Sequence, residues 1–564
     1  MSFGDEAIFD KLFLKGMRPY LWIAAVIVML YSKSLWYGYT YLDDNILIMR
    51  NIEFLKDLSN IWSAFWIKVF PKSYLPYYRP LLTISLMLDA QFAENSLLFY
   101  HITNIAIHIA ASCLLFLFLK NLGYGRELSF FFSVIFAVHP ALSQGVAWLP
   151  GRNDTMLAVF VLASTIFFIV FLRNRKQVSY AAHMFFFALA LFTKETALVL
   201  APLSLLYMRL VAKESLFSRR TVALISGWTG IGIVWFLFRE QAVQNSKVMN
   251  FYEMGSLIAA YLPAVLQFLG KVFFPFNLSV FPIIADTTMA YGIAAAALLA
   301  AAVFMSRHGR KDMMIFGAAW AVMFLLPSLI RANTRLVADF LEHRLYVPII
   351  GCIVILCETD TVAFLDKHKM LMRSCALIVI ALFSFLTFRH MDNFADKFAF
   401  WRNAVRTSPR SSFAHLALAI AYADDGMGEE AESEYRKCLQ LDPLEPGAIY
   451  GLGAIYYSKG MISEAERQMK KTIAAYPGYD IAHLELGVIY YKTGRLKEAE
   501  NMWNKAVSIN PANVHAYKNL AIYYYEQKRF DKAAYCVRRL KEMGFRVPNN
   551  FIELLAQEGV TGLK

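Results

Sequence analysis

The feature that most constrains this chain is a series of apolar segments that recurs between Leu21 and Phe388. Each is about 15 to 23 residues long, and an α-helix needs about 20 apolar residues to cross the hydrocarbon core of a bilayer. With 58% hydrophobic and only 18% charged residues, the chain carries less charge than a soluble protein of its size. The residues after the last apolar segment are charged in character. The sequence therefore predicts a membrane domain over residues 1–395 and a soluble domain over residues 396–564.

Basic residues between the apolar segments predict which ends of the spans face the cytoplasm. A basic N-terminus precedes the first span, which we interpret as an uncleaved signal anchor, so a large loop over residues 37–96 lies on the outer (extracytoplasmic or lumenal) face. Residues 257–284 contain three prolines and are predicted to dip into the membrane or lie at its surface, because one ordinary span there would turn the basic residues 306–311 outward. Eleven spans then remain, and the soluble domain shares the outer face. They cover approximately residues 20–36, 97–119, 128–142, 156–172, 180–192, 197–210, 222–238, 289–305, 313–330, 346–364 and 371–388.

The large loop contains two amphipathic stretches. Residues 52–70 mix tryptophan and phenylalanine with lysine, which is typical of a helix lying in the membrane interface. A second stretch begins at Tyr77 and continues to about Phe92. Both are predicted to stay close to the bilayer surface.

The soluble domain has an internal period of 34 residues, which is the length of a tetratricopeptide repeat. The positions in phase are Pro443, Pro477 and Pro511; Ala431, Ala465, Ala499 and Ala533; Tyr422, Tyr456, Tyr490 and Tyr524; and Gly426, Gly460 and Gly494. We predict an α-solenoid with a half repeat around Trp401, four full repeats over about 412–545 and a capping helix. Such arrays bind extended peptides or partner proteins on a concave face and carry no chemistry of their own.

The net charge of +13 does not indicate nucleic-acid binding, because much of the excess lies in short loops between spans. The six cysteines are scattered and show neither metal-ligand spacing nor a disulfide framework. The sequence thus predicts no metal site and no cofactor, and leaves a requirement for a divalent metal open.

Seven polar groups fall on the predicted outer side, at the ends or in the outer halves of spans. They are Asp43-Asp44; Arg79; His101, Asn104 and His108; His139; Arg152 with Asp154; Lys194-Glu195; and Glu342-His343-Arg344. Ionisable groups at membrane depth are costly unless they pair or face a cavity, so a cluster of them marks a working site.

Five of these groups also have a structural interpretation. Lys194-Glu195 can be an ion pair in a tight turn, and His101 and Asn104 can cross-link helices while His108 packs. Asp154 suits a helix N-terminus. Residues 342–344 can anchor a span at the interface, and Asp43-Asp44 can be ordinary loop polarity.

Together these residues suit group transfer from a lipid-linked phosphate. A carboxylate can act as general base toward an acceptor hydroxyl. Arginine, lysine and histidine at the lipid interface suit a phosphate leaving group.

The motifs also resemble a known family, the transmembrane and tetratricopeptide-repeat-containing O-mannosyltransferases and their prokaryotic relatives in the GT-C superfamily. The matching stretches run in order along nearly the whole chain. They are Tyr41-Leu42-Asp43-Asp44, Tyr78-Arg79-Pro80-Leu81, Phe99-Tyr100-His101-Ile102-Thr103-Asn104, His139-Pro140, Gly151-Arg152-Asn153-Asp154, Lys194-Glu195 and Glu342-His343-Arg344-Leu345-Tyr346-Val347-Pro348.

The resemblance implies a GT-C fold whose first outer loop carries the catalytic acid. It implies inverting transfer of a sugar, typically mannose, from a polyprenyl phosphate of the dolichyl or undecaprenyl type to a Ser or Thr hydroxyl of a protein. Asp43 or Asp44 is then the base. The expected contacts to the lipid-linked sugar and its phosphate are Arg79, His101, Asn104, Arg152, Asp154, Lys194, Glu195, His343 and Arg344.

Two other functions are compatible with parts of the sequence. A ligase or polymerase of surface polysaccharide also uses a lipid-linked donor, but relies on a large late outer loop rather than an early acidic pair. A non-catalytic membrane scaffold would use only the repeats to recruit partners, and would leave the ordered polar groups without a purpose.

Overall fold

A computed structural model describes residues 9–69, 77–93, 96–243, 251–329 and 339–560. Within these ranges the regular structure is helical, and an isolated β-bridge joins Ile283 to Asp339. The predicted all-helical architecture is therefore confirmed. The chain divides into two compact units, one ending at Pro409 and the other beginning at Arg410.

The first unit is a bundle of helices. Those of at least eight residues are numbered here as α1 Arg18–Tyr31, α2 Pro80–Ala90, α3 Leu98–Asn121, α4 Arg126–Ala137, α5 Arg152–Asn174, α6 Gln177–Thr193, α7 Leu200–Leu210, α8 Arg219–Ala242, α9 Phe251–Phe273, α10 Ala290–Met305, α11 Lys311–Leu325, α12 Pro348–Cys357, α13 Asp360–Lys367, α14 Lys369–Met391 and α15 Lys397–Thr407. Proline occupies the first or second position of α1, α2 and α12, where the missing backbone N–H would have no partner in the helix.

Seven helical segments in the described residues are long and apolar enough to cross a membrane, which makes this a multi-pass membrane protein. They are Arg18–Trp36, Leu98–Asn121, Leu149–Asn174, Arg219–Ala242, Gly255–Phe273, Lys311–Leu329 and Lys369–Phe394. The number rises to nine if two bent pairs each form one span, namely α4 with residues 140–147, bent by 55°, and α12 with α13, bent by 65°. The predicted total of eleven leaves out Gly255–Phe273 and instead counts α6, α7 and α10, which are shorter. Helix α9 runs continuously through Pro263, which the proline pattern did not predict.

Polar loops meet at the two ends of the bundle. At one end Arg310 donates to the backbone oxygen of Leu122 at 3.0 Å and pairs with Glu358. Lys213 pairs with Asp312 at the same end. The basic residues 120–126, 209–220 and 306–311 of these loops are predicted by their charge to face the cytoplasm, whereas Glu358 falls within the predicted span 346–364. The residues predicted to form the site lie in other loops of the bundle.

The first loop is less regular than predicted. Residues 52–69 form short helical turns, Ile52–Lys56, Leu58–Ile61 and Ser63–Phe65, rather than one interfacial helix. Trp62 and Trp66, which flank the last of these turns, are 76% and 47% exposed. The second amphipathic stretch is helical as α2, and residues 70–76 lie outside the described residues.

The junction between the units also differs in detail from the predicted boundary. Helix α15, predicted as a half repeat of the array, lies in the first unit. The side chain of Asn403 accepts a hydrogen bond from the backbone of Val280 at 3.2 Å, and Ser408 donates to the backbone oxygen of Phe281 at 2.7 Å.

The second unit contains four helix pairs and a last helix. These are α16 Ser412–Asp424, α17 Gly428–Leu441, α18 Pro446–Ser458, α19 Ile462–Ala475, α20 Asp480–Lys492, α21 Leu496–Ile509, α22 Val514–Glu526, α23 Phe530–Glu542 and α24 Asn549–Gln557. The four alanines in phase are fully buried, because neighbouring helices approach most closely there. The turn glycines have φ between +76° and +77°, and Lys528 takes the equivalent left-handed position at +57°.

Candidate active site

Loops of the first unit surround a cavity of about 130 Å³. Six of the predicted site residues line it: Asp43, Arg79, Lys194, Glu195, His343 and Arg344. These residues come from four separate regions of the chain. The sequence predicted only that they share one side of the membrane, whereas the fold brings them to one cavity.

The acidic pair that follows α1 is divided between two tasks. Asp43 lines the cavity, whereas Asp44 is 1% exposed. The Asp44 carboxylate accepts hydrogen bonds from the backbone of Thr40 at 2.7 Å, Tyr41 at 2.8 Å and Asn45 at 2.9 Å, and from the Thr40 hydroxyl at 2.9 Å. Burial raises the pKa of Asp44 and these four bonds oppose the rise. Asp44 therefore holds the turn, and Asp43 is the carboxylate that the cavity can use.

The turn itself is tight. Tyr41 has a φ of +62°, a left-handed conformation that is uncommon for a residue with a side chain. The Thr40 hydroxyl also accepts a hydrogen bond from the indole of Trp148 at 3.0 Å, and Trp148 lines the cavity. The anchored Asp44 thus links the first loop to the wall that faces His343.

Arg79 forms the side of the cavity that leads into α2. Its guanidinium lies 3.6 Å from the Glu195 carboxylate and 4.6 Å from the centre of the Tyr77 ring. Burial acts to lower the pKa of Arg79, but the charges of Glu195, Tyr77, Asp154 and Asp43 outweigh it and raise the pKa. Arg79 is a permanent cation within electrostatic reach of Asp43.

Lys194 and His343 share one carboxylate. The ammonium of Lys194 lies 2.7 Å from one oxygen of Asp154, and His343 Nε2 lies 3.7 Å from the other. Burial lowers the pKa of Lys194, while Asp154 counteracts the effect. Asp154 is therefore one layer behind the cavity wall, where it orients two of the groups that line it.

The turn Glu342–Leu345 is fixed from behind. Glu342 is completely buried, 2.5 Å from Lys271, and accepts a hydrogen bond from the backbone of Ser279 at 2.8 Å. Gln144 accepts the backbone N–H of His343 at 3.0 Å, and Arg344 lies 3.7 Å from Asp339. Because all three consecutive polar residues have fixed partners, the turn presents His343 and Arg344 in defined directions.

Four of the predicted contact residues do not line the cavity: Asp154, which lies behind its wall, and His101, Asn104 and Arg152. His101 is buried with Nε2 3.2 Å from the backbone oxygen of Tyr37, and Asn104 donates to the backbone oxygen of Val146 at 3.1 Å. Arg152 is fully buried and pairs with Asp89 at 2.5 Å. The helix cross-linking role considered for His101 and Asn104 matches their contacts, because each side chain lies within hydrogen-bonding distance of a backbone oxygen of another segment.

Comparison with known proteins identifies both parts of the chain. Models of the tetratricopeptide repeat match residues 414–443 and 481–513. A Caenorhabditis elegans protein named protein O-mannosyl-transferase is 24% identical over 462 residues, covering 78% of this chain and 65% of the relative. Human protein O-mannosyl-transferase TMTC1 is 22% identical over 442 residues, covering 66% of this chain and 49% of the relative.

The chain is similar to protein O-mannosyl-transferases. The predicted resemblance is confirmed, and the similarity extends beyond the repeats, because it covers most of the chain. The chain spans about two thirds of the length of the first of these relatives and about half the length of the second. Among solved structures, one described as a functional characterization of Pseudomonas aeruginosa pilF matches with 21% identity over 28% of this chain and 72% of that chain, at a TM-score of 0.26. That match is too limited to carry an argument.

Several groups around the cavity were not predicted as site residues. Trp148 and Asn153 line it, Tyr77 stacks with Arg79, and Gln144 holds His343. Asn153 and Tyr77 adjoin predicted residues in the sequence, and this proximity could have identified them. Gln144 carries no comparable signal, because no predicted site residue adjoins it in the sequence.

The described residues contain no cluster of side chains suited to hold a metal ion. No group of three or more His, Cys, Asp or Glu side chains there is arranged to hold one. The charges around the cavity are mainly cationic, and such a set suits an anion better than a metal ion.

Proposed function

We propose that this protein is a membrane glycosyltransferase that moves a sugar from a polyprenyl phosphate to a Ser or Thr hydroxyl of a protein, with mannose as the sugar. The observation that supports it most directly is that Asp43 shares one cavity with Arg79, Lys194, His343 and Arg344. The relatives are named protein O-mannosyl-transferases, which supports the sugar and the class of acceptor.

In the proposed reaction Asp43 accepts the proton of the acceptor hydroxyl. The hydroxyl oxygen then attacks the anomeric carbon from the face opposite the phosphate, so the new glycosidic bond forms as the bond to the phosphate oxygen breaks. The bonding electrons leave with the lipid phosphate, whose negative charge Arg79 and Arg344 stabilise. The proton remains on Asp43, and the configuration at the anomeric carbon inverts.

The remaining site residues have supporting tasks in this proposal. Asp154 orients Lys194 and His343 toward the phosphate, and Glu195 sets the position of Arg79. Glu342, paired with Lys271, fixes the turn that carries His343 and Arg344. Asp44 fixes the turn that carries Asp43.

The proposal includes the fold and the location. Residues 1–395 form a GT-C transferase domain with eleven spans, and residues 396–564 form the repeat domain. The cavity and the repeats lie on the extracytoplasmic or lumenal side. Cysteines introduced singly at exposed Glu553 in the repeats and at exposed Arg307 in the loop after α10 test this, since only the former is expected to react with an impermeant reagent on intact cells or sealed vesicles.

The decisive test compares Asp43→Asn with Asp44→Asn in purified full-length protein. Asp43→Asn removes the base while keeping its shape, and transfer from a polyprenyl-phosphate mannose to a Thr-containing peptide is expected to fall about 100-fold or more with unchanged thermal stability. Asp44→Asn changes a group that accepts four hydrogen bonds, and it is expected to lower thermal stability together with activity. Wild-type transfer by the Asp43→Asn variant would refute the assigned base.

The donor is tested separately. Lipid monophosphate mannose is expected to support transfer, whereas a lipid diphosphate oligosaccharide is not. The opposite result would favour the ligase or polymerase, and activity with neither donor would favour the scaffold.

A further inference from the structure

The tetratricopeptide unit contains a groove of its own, with a volume of about 680 Å³. It runs across three successive first helices of the repeats, α18, α20 and α22, and the turn before α22. Its apolar lining includes Ile481, Leu484 and Val488 along α20. A partner that occupies it must therefore be extended and partly apolar.

The carboxylates of this groove differ in how they are satisfied. Asp480 accepts hydrogen bonds from the side-chain amides of Asn510 at 2.8 Å and Asn513 at 2.9 Å. Glu485, one turn further along α20, has no ion-pair or hydrogen-bond partner among residues 410–560 as the structure describes them. Burial raises the pKa of Glu485, which shows that its surroundings desolvate it without offering compensation.

An aromatic ring, that of Tyr450, lies beside this carboxylate. The rings of Tyr450 and Tyr479 are 6.2 Å apart at an interplanar angle of 73°. Burial raises the pKa of Tyr450, and the charge of Glu485 adds to the increase, so the phenol and the carboxylate are near neighbours. No residue that lines the groove is lysine or arginine, although the whole chain has a net charge of +13.

Carboxylate and aromatic faces together in a partly desolvated groove form a cation site. A lysine or arginine side chain would neutralise Glu485 and lie against Tyr450, with its methylene stem on the apolar residues of α20. Asn519, on the adjacent first helix, lines the same groove with an amide that can both donate to and accept from an extended backbone.

We propose that this groove binds an extended polypeptide segment through a basic side chain, with Glu485 as the ion-pair partner and Tyr450 as the aromatic wall. In the proposed transferase such a segment is part of the acceptor, so the groove selects acceptors with lysine or arginine near their Ser or Thr residues. That second statement rests on the proposed function, whereas the binding itself does not.

Binding of three synthetic peptides to the purified full-length chain tests the proposal. All three alternate alanine and threonine, and they differ only in a central lysine, norleucine or glutamate. The wild-type chain is expected to bind the lysine peptide about tenfold more tightly than the norleucine peptide, and the preference is expected to weaken with salt. The glutamate peptide is expected to bind most weakly. Equal affinity for lysine and norleucine would overturn the cation site and leave only an apolar groove.

Variants locate the effect. Glu485→Gln keeps the shape of the side chain and is expected to remove the preference for lysine without weakening binding of the norleucine peptide. Tyr450→Leu is expected to reduce the preference for lysine in part. Glu553→Gln, at an exposed position on α24, is the matched control and is expected to leave the preference unchanged. An unchanged preference in Glu485→Gln would refute the assignment.

The same three peptides test this inference independently of the proposed transfer reaction. Asp43→Asn is expected to bind all three peptides as the wild type does. Absence of transfer with the lysine preference intact would refute only the proposed function. Transfer without any lysine preference would refute only the basic-segment inference.

Discussion

The ion pair between Arg152 and Asp89 gives the sharpest test of how the bundle supports its cavity. Arg152 is fully buried at the start of α5, and its Nη1 lies 2.5 Å from an Asp89 oxygen near the end of α2. The same guanidinium donates to Asn104 at 2.6 Å and to the backbone oxygen of Tyr100 at 2.7 Å, both on α3. The pair thus joins the loop helix α2 to two apolar helices.

Replacement of Arg152 by Met is expected to be costly because it leaves the buried Asp89 carboxylate without its cation. Breaking a buried pair in this way costs about 3–5 kcal/mol. Thr103 still donates to the other Asp89 oxygen at 2.6 Å, which offsets part of the loss. We therefore expect a decrease of about 3 kcal/mol in the free energy of unfolding.

The double variant Arg152→Met with Asp89→Leu removes both charges. Apolar replacements of a buried pair are often close to neutral, so we expect the double variant to be about 2 kcal/mol more stable than the single Arg152→Met variant. Reversible unfolding in mixed detergent, followed by tryptophan fluorescence, measures both values on full-length protein.

Donor kinetics distinguish this structural role of Arg152 from the contact with the donor phosphate that the sequence predicted for it. A guanidinium that binds the donor would leave the double variant with a raised KM for the donor despite its restored stability. Equal stability of the single and double variants would refute the assigned pairing. Lys120→Met, at a partly buried lysine near the other end of α3, provides a control for removing a cation from the bundle.

Three further outcomes follow from the structure. Lys271→Met leaves Glu342 buried without its 2.5 Å partner, and we expect lower thermal stability together with a larger loss of turnover than of donor affinity, as measured by melting and steady-state transfer. Gly351→Val introduces a Cβ that would lie 2.6 Å from the backbone nitrogen of Ala321 on α11, and we expect a loss of more than about 2 kcal/mol in the unfolding assay. A hydrogen bond from Arg495 holds the pKa of Glu466 at about 2. The contribution of this pair to stability is therefore present above the ordinary glutamate pKa of 4.5 and is lost as the pH falls through about 2. Limited proteolysis of the repeats across this pH range detects the loss.

Each of these outcomes has a control. Lys271→Met with Glu342→Leu is expected to recover stability, and failure to do so would contradict a pairwise origin. Gly232→Val, at a position on α8 where an added Cβ meets nothing within 4 Å, is expected to be mild. Arg495→Gln is expected to shift the acid transition of the repeats to higher pH, and an unchanged transition would contradict the pairing.

The repeats could be predicted almost completely from the sequence. Alanines and tyrosines in phase are local consequences of one helix pair packing on the next, so a period of 34 residues carries both fold and packing. Helix α15, predicted as a half repeat of the soluble domain, is the exception. Its Trp401 is in phase with the repeats, but its contacts are with residues 280 and 281 of the first unit.

The amino-acid sequence by itself determined that the chain has several apolar helices, a repeat array and a set of polar residues that belong together. Apolar length, charge between spans and period are properties of short segments, and they remain valid whatever the tertiary arrangement. Only the tertiary structure decided which polar residues reach the cavity. Asp43 and Asp44 are adjacent in sequence, yet the left-handed turn at Tyr41 buries one carboxylate and turns the other toward Arg79. Arg152 and Arg344 look equivalent in sequence, but the position of Asp89 in space commits Arg152 to the interior of the bundle.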